Sequence, residues 1–206
     1  MRPLSVVLFF TFLVGRSAGQ GIPSPAKGLT LGSQKNQPGE GMIHGLPGSQ
    51  YALSLPNKKH KTLGIIRSAS FFIDQNGLPA RPFRVHLYRA NSPAGAPGPD
   101  LLTQRVVVSA AQGGKWFTVD LKAYGIAAPQ QGFFVAMEWI EEENGPSADD
   151  AVHALAPYQI LRPTFEFKES CTWSYTIGRG WGQLTLRDGQ GRCYNAMMKA
   201  EVDVIE

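Results

Sequence analysis

Residues 132–140 read GFFVAMEWI. A period of two puts Phe133, Val135, Met137 and Trp139 on one face, and Phe134, Ala136, Glu138 and Ile140 on the other. Both faces are largely apolar, the pattern of a strand covered on two sides near the middle of a sheet. A carboxylate placed there without a partner costs several kcal/mol or takes up a proton. Glu138 therefore predicts a polar partner on a neighbouring strand.

Outward from this run the signals stay β. Residues 63–74, LGIIRSASFFID, read as one strand. Residues 82–90, PFRVHLYRA, alternate Phe83, Val85 and Leu87 against Arg84, His86 and Tyr88. LLTQRVVVSAA, KWFTVDL, TFEFKES, CTWSYTIG, GQLTLR and YNAMMKAEVDV extend the series. In the last, Ala196, Met198, Ala200, Val202 and Val204 share a face, opposite Met197, Lys199, Glu201 and Asp203. Asn76-Gly77 is a strong turn signal, 91–100 is a Pro/Gly loop, and RDGQGR at 187–192 is a turn. The 23 glycines and 15 prolines favour short strands and many turns. No helical period competes beyond a turn in LKAYGIA. The expected fold is all-β, a two-sheet antiparallel sandwich of jelly-roll-like type.

The chain opens MRPLSVVLFFTFLVGRSAGQ. Arg2 is a positive start, 4–14 an apolar stretch too short to span a bilayer, and Ser17 and Gly19 fit a cut after Gly19. Residues 1–19 are read as a signal peptide, 20–48 as a flexible Gly/Pro-rich leader with room for one short strand at Leu29–Leu31, and 49–206 as the sandwich domain. Loss of Arg2 and Arg16 takes the formal net charge from +4 to near +2, a balance that does not call for nucleic acid. No second stretch is apolar enough for a membrane span. The expected location is secreted, in the periplasm or on the cell surface.

Export implies an oxidising compartment, which makes Cys171 and Cys193 a candidate disulfide. If 171–177, 182–187 and 193–204 form a meander, the two cysteines flank its middle strand about 9–10 Å apart, too far to bridge; they bond only if the first and third strands are neighbours or an end curls over.

The order IRSASFFI, RPFRVHLYRA, PGPDLLTQ, KWFTVDLKAYGIAAPQQGFFVAMEWI and YNAMMKAEV resembles a group of secreted β-sandwich proteins from Bacteroidetes-type bacteria. That group is often associated with carboxypeptidase-regulatory-like domains. The resemblance spans about residues 50–205 and implies the fold and export, with no chemistry attached.

Motifs for catalysis are sparse. GRSAG at 15–19 fits a nucleophile elbow by letters alone, but it sits at the signal cleavage site and not on a strand-to-helix turn. His44, His60, His86 and His153 show no metal-ligand spacing. The acidic loop supplies Glu141, Glu142, Glu143, Asp149 and Asp150, oxygens suited to calcium in number but not in EF-hand spacing. The expected cofactor is none: the loop reads first as a solvated charge run, with calcium as the alternative.

Glu138 has its best partners in Arg84 and His86, on the polar face of another central-looking strand. The plain reading is a cross-strand ion pair. The functional reading is a sheet face lined by Arg84, His86, Tyr88, Trp116, Phe134 and Glu138. On such a face aromatics stack on sugar rings and charged groups fix hydroxyls. The expected function is an exported, non-catalytic binding or interaction module whose partner is a glycan or another envelope protein. The alternatives are a carbohydrate-active enzyme using Glu138 with Asp120 or His86 as proton carriers, and a structural envelope protein with no small ligand.

Overall fold

The computed structural model describes residues 28–57, 64–92, 94–141 and 158–204. Two antiparallel sheets pack face to face. The first holds β1 (Gly28–Gly32), β13 (Met198–Val204), β3 (Gly64–Gly77) and β6 (Lys115–Asp120) in that order, with β8 (Gln159–Leu161) pairing the far end of β3. The second runs β11 (Gly180–Gln183), β10 (Thr172–Thr176), β2 (Gln50–Pro56), β7 (Gly132–Trp139), β4 (Pro82–Arg89) and β5 (Val106–Ser109). A two-stranded ladder of β9 (Pro163–Thr164) and β12 (Asn195–Ala196) and one 3-10 turn, Lys122–Tyr124, complete the described elements. The expected all-β sandwich is the observed architecture.

Alternation explains the core. Phe133, Val135, Met137 and Trp139 of β7 point between the sheets, where they meet Leu53 and Leu55 of β2 and Phe83, Val85 and Leu87 of β4. The first sheet answers with Ile66, Phe71 and Ile73 of β3 and with Met198, Ala200 and Val202 of β13. Phe71 and Phe83 meet edge to face across the sandwich at 5.4 Å. The buried indole of Trp139 is satisfied, its Nε1 donating to the Gln159 carbonyl at 2.9 Å. As its two apolar faces required, β7 is interior, paired to β2 on one side and β4 on the other. It starts at Gly132, where φ is +99° and an added Cβ would lie 2.4 Å from the Leu55 carbonyl oxygen. Only glycine fits that approach without displacing backbone.

Four expectations are corrected. Asn76-Gly77 does not close a hairpin. β3 continues through Gly77, and the chain turns at 78–81, where Arg81 N donates to the Leu78 carbonyl. β3 and β4 then lie in different sheets, so the connection crosses the sandwich, and a local turn signal cannot show which sheet the next strand joins. Second, the leader is built in from residue 28 onward: β1 pairs β13, Gly39 N bonds the Pro163 carbonyl, Ile43 is buried and bridged to Leu161, and Gly48 N bonds the Trp139 carbonyl. Arg162 also holds it, donating to the Gly39 carbonyl at 2.7 Å while paired to Asp74 at 3.0 Å. Backbone hydrogen bonds secure most of this segment, with Leu29, Leu31 and Ile43 as its few apolar anchors, which is why composition reads it as a linker.

Third, the strand expected at 182–187 is shorter and starts earlier, as β11, a hairpin partner of β10. Fourth, the structure does not join Cys171 to Cys193. The Cys171 sulfur faces the Glu169 carbonyl at 3.7 Å and the Cys193 sulfur the Lys168 carbonyl at 3.6 Å, so each thiol is turned to nearby backbone. The signal peptide, residues 20–27 of the leader and Glu142, Glu143, Asp149 and Asp150 lie outside the described residues. Among the described residues no helix is long and apolar enough to cross a membrane.

Candidate functional site

The outer face of the second sheet, turned away from the core, carries the chemistry. Register sets three rows across it. One row is Trp181, Tyr175, Gln50, Glu138 and Arg84; the next is Trp173, Ala52, Ala136 and His86; the third is Ser54, Phe134 and Tyr88. Strands stand about 4.8 Å apart, so β11 and β4, four steps apart in the sheet, would be about 19 Å apart if it were flat. Yet the rings of Trp181 and Tyr88 meet at 5.5 Å. The sheet therefore curls over this face. The small side chains of Ala52 and Ala136 at its centre leave room for the curl, and Trp173 and Trp181 pack onto the small cluster of Ala52, Tyr88, Phe134 and Ala136.

Glu138 has its partners. Arg84 sits directly opposite it in register, with the guanidinium 3.7 Å from Oε2. His86, one pair along and on the same face, places Nε2 2.7 Å from that same oxygen. Its other nitrogen, Nδ1, lies 2.7 Å from Oδ2 of Asp100. Asp100 also caps its own turn, its Oδ1 accepting from Leu102 N at 3.0 Å and Leu87 N at 3.3 Å. The imidazole is thus clamped between two carboxylates with its side chain only 5% exposed. Burial pulls its pKa down, but the hydrogen bonds it donates to Asp100 and Glu138 outweigh that and raise it above its ordinary 6.5. Reciprocally, the hydrogen bond from His86, opposed by burial and helped by the charges of His86 and Arg84, holds Glu138 below the ordinary carboxylate range. Tyr88 stacks on His86 at 5.2 Å, donates its hydroxyl to Gln50 at 2.6 Å and, chiefly through burial, is kept protonated well into the alkaline range.

Of the six residues expected to line one surface, five do. Arg84 and Glu138 reach solvent, while His86, Tyr88 and Phe134 form the floor. Trp116 does not join them. It stands on β6 of the first sheet, met edge to face by Phe72, covered by Lys199 at 4.2 Å and hydrogen-bonded to Asn36. Shared parity cannot tell one sheet from the other. Asp120, offered as a second proton carrier, lies on that same β6 and accepts from Lys122 N, remote from Glu138.

Sequence reasoning missed Gln50, Asp100, Trp173, Tyr175 and Trp181. The alternation of Trp173 and Tyr175 in TWSYT marked a shared face, but only register could place that face beside Glu138. Asp100 sits in the 91–100 loop and reaches β4 through a bridge from Tyr88, a contact no local pattern encodes. For a metal, Glu141 is exposed, and among the described residues no group of three or more His, Cys, Asp or Glu gathers around a common point.

Comparison with known protein families, with curated proteins and with solved structures finds no match to this chain. The site is read from its own residues.

Proposed function

We propose that this is an exported, non-catalytic binding module whose curled outer sheet face takes carbohydrate. One observation carries the reading. Trp173, Tyr175 and Trp181 are left half-exposed on a curled face whose rows also hold the Gln50 amide, the Glu138 carboxylate and the Arg84 guanidinium. Flat apolar rings beside hydrogen-bonding groups complement the apolar faces and hydroxyl edges of a sugar. Proton-transfer catalysis fits less well. Both nitrogens of His86 are engaged, so the ring braces Glu138 and has no nitrogen left for a substrate. Asp100 is the nearest second carboxylate, and the imidazole fills the space between it and Glu138 where a scissile bond or water would sit.

The test is a glycan-array screen of the 20–206 chain, followed by titration of each hit. Trp181→Ala and Trp173→Ala should each weaken binding at least tenfold. Trp116→Ala, on the other sheet, should bind as wild type. Folded protein that binds no glycan, or binding lost equally in Trp116→Ala, overturns the proposal and leaves an envelope scaffold. Turnover of a bound glycan that Glu138→Gln abolishes would make it an enzyme instead.

A further inference from the structure

A second site lies at the opposite edge of the sandwich. Leu29 and Leu31 of β1 are paired with Val202 and Ala200 of β13 and share their parity, so they point to the core side of the first sheet. Val202 and Ala200 are sealed at 0% exposure, but Leu29 and Leu31 are only half-buried. β1 is the last strand of its sheet, and past it the two sheets part. The gap is a cleft of about 710 Å³ between β1, residues 54–57 and residues 166–171. That volume is within the range of small-molecule sites, roughly 300–1,000 Å³.

The walls are aliphatic and aromatic: Leu29 and Leu31 from one sheet, Leu55 from the other, and Phe167 from the segment leading into β10. Four consecutive residues of β1 and the last three of β2, followed by Asn57, line it, so it runs along the strands for about 10 Å. The mouth carries two carboxylates, Glu166 and Glu169, and one ammonium, Lys168. Glu166 is already engaged, accepting from Gln34 N at 3.2 Å and Lys35 N at 2.9 Å. Lys168 and Glu169 are adjacent, exposed and of opposite sign. An elongated apolar slot with a polar rim of mixed charge suits a hydrocarbon chain ending in an uncharged head: a carboxylate head would face two glutamates, and an ammonium head would face Lys168.

We propose that this cleft binds a single straight hydrocarbon chain bearing an uncharged polar head, a hydroxyl or an ester. The site is separate from the sheet face above and does not depend on that face binding sugar.

The probes are n-alkanols from hexanol to dodecanol, titrated by competition against an uncharged apolar fluorophore, with octanoate beside octanol. Each added methylene should tighten binding about three- to fourfold until the cleft is full. Octanol should bind more tightly than octanoate at pH 7. Leu31→Trp, which fills the slot from its wall, should weaken decanol binding at least tenfold with an unchanged circular dichroism spectrum. If Leu31→Trp does not fold, Leu29→Trp serves the same purpose. Trp181→Ala should leave alkanol binding unchanged, which separates this site from the sheet face. No alkanol uptake by folded protein, affinity independent of chain length, or full binding by both filled variants overturns the proposal. Octanoate binding as tightly as octanol overturns its assignment of an uncharged head.

Discussion

The outer faces of the two sheets are built from the same kind of strand and differ in what they show to water. On the first sheet, Arg67 pairs with Glu201 and Asp203, Ser70 shares a 2.9 Å hydrogen bond with Thr118, and Lys199 covers Trp116. That is the usual alternation of an antiparallel sheet, apolar inward and polar outward. On the second, Phe134, Tyr88, Trp173, Tyr175 and Trp181 crowd the face that should be polar, and the charged groups are tied into one chain, Asp100 to His86 to Glu138, with Arg84 beside it. A sheet needs neither feature to fold. A concentration of aromatics on a solvent-facing surface, with a buried charged brace beneath, marks a face shaped for contact. The proposed binding face is therefore on the second sheet, with the first as its backing.

Substitutions sharpen that contrast, and the largest effect belongs to neither outer face. Trp139→Ala, on the inward side of β7, should cost about 3–5 kcal/mol in denaturant unfolding, because it empties a fully buried indole site. His86→Ala should cost roughly 1.5–3 kcal/mol, since it removes a charge-assisted partner from both Asp100 and Glu138. A loss under 0.5 kcal/mol there would mean the brace is ornamental and the two faces are energetically alike. Gly132→Ala should lower stability by more than about 1 kcal/mol through its positive φ and its contact with the Leu55 carbonyl, measured as a shift in urea midpoint. Arg67→Ala, on the first sheet, should cost only about 0.2–1 kcal/mol, because its partly exposed ion pairs are screened by solvent.

The brace also predicts a pH signature confined to the second sheet. His86 has a folded pKa above 6.5, so its stabilisation is complete below the unfolded value and is lost as pH rises through the raised one. Glu138 has a folded pKa below 4.5, so its contribution is present above that value and is lost as pH falls through the lowered one. Stability from this cluster should therefore be greatest between the two. His86→Gln should flatten the alkaline fall, and Glu138→Gln should blunt the acid one, in melting temperatures followed from about pH 2 to 9. Identical profiles in wild type and both variants would remove the cluster from the stability of the sheet.

Much of this architecture was legible in the chain. The alternation in 82–90 and 132–140 put the inward set, Phe83, Val85, Leu87, Phe133, Val135, Met137 and Trp139, on the correct face. The lone Glu138 in an apolar run demanded a partner, and Arg84 and His86 were the groups able to supply one. Trp116 and Asp120 were misplaced because parity gives a side of a strand and says nothing about which sheet owns it. Residues 28–48 were read as a leader because their anchors are mostly main-chain hydrogen bonds, which leave no mark on composition. Met197 was expected on a polar face but is fully buried, since the ladder of β12 breaks before β13 begins and Met197 N bonds the Arg162 carbonyl.

The sequence by itself determined an all-β chain, the inward and outward sets of its long strands, and the need to satisfy one buried carboxylate. Those are consequences of period-two geometry and of the cost of burying charge, both of which act within a strand. Tertiary structure decided that β10 and β11 curl their tryptophans toward Tyr88, that a loop aspartate completes the clamp on His86, and that the sheets part beside β1. Each of these depends on strand order and sheet curvature, which arise from contacts between residues far apart in the chain and so have no local period to betray them.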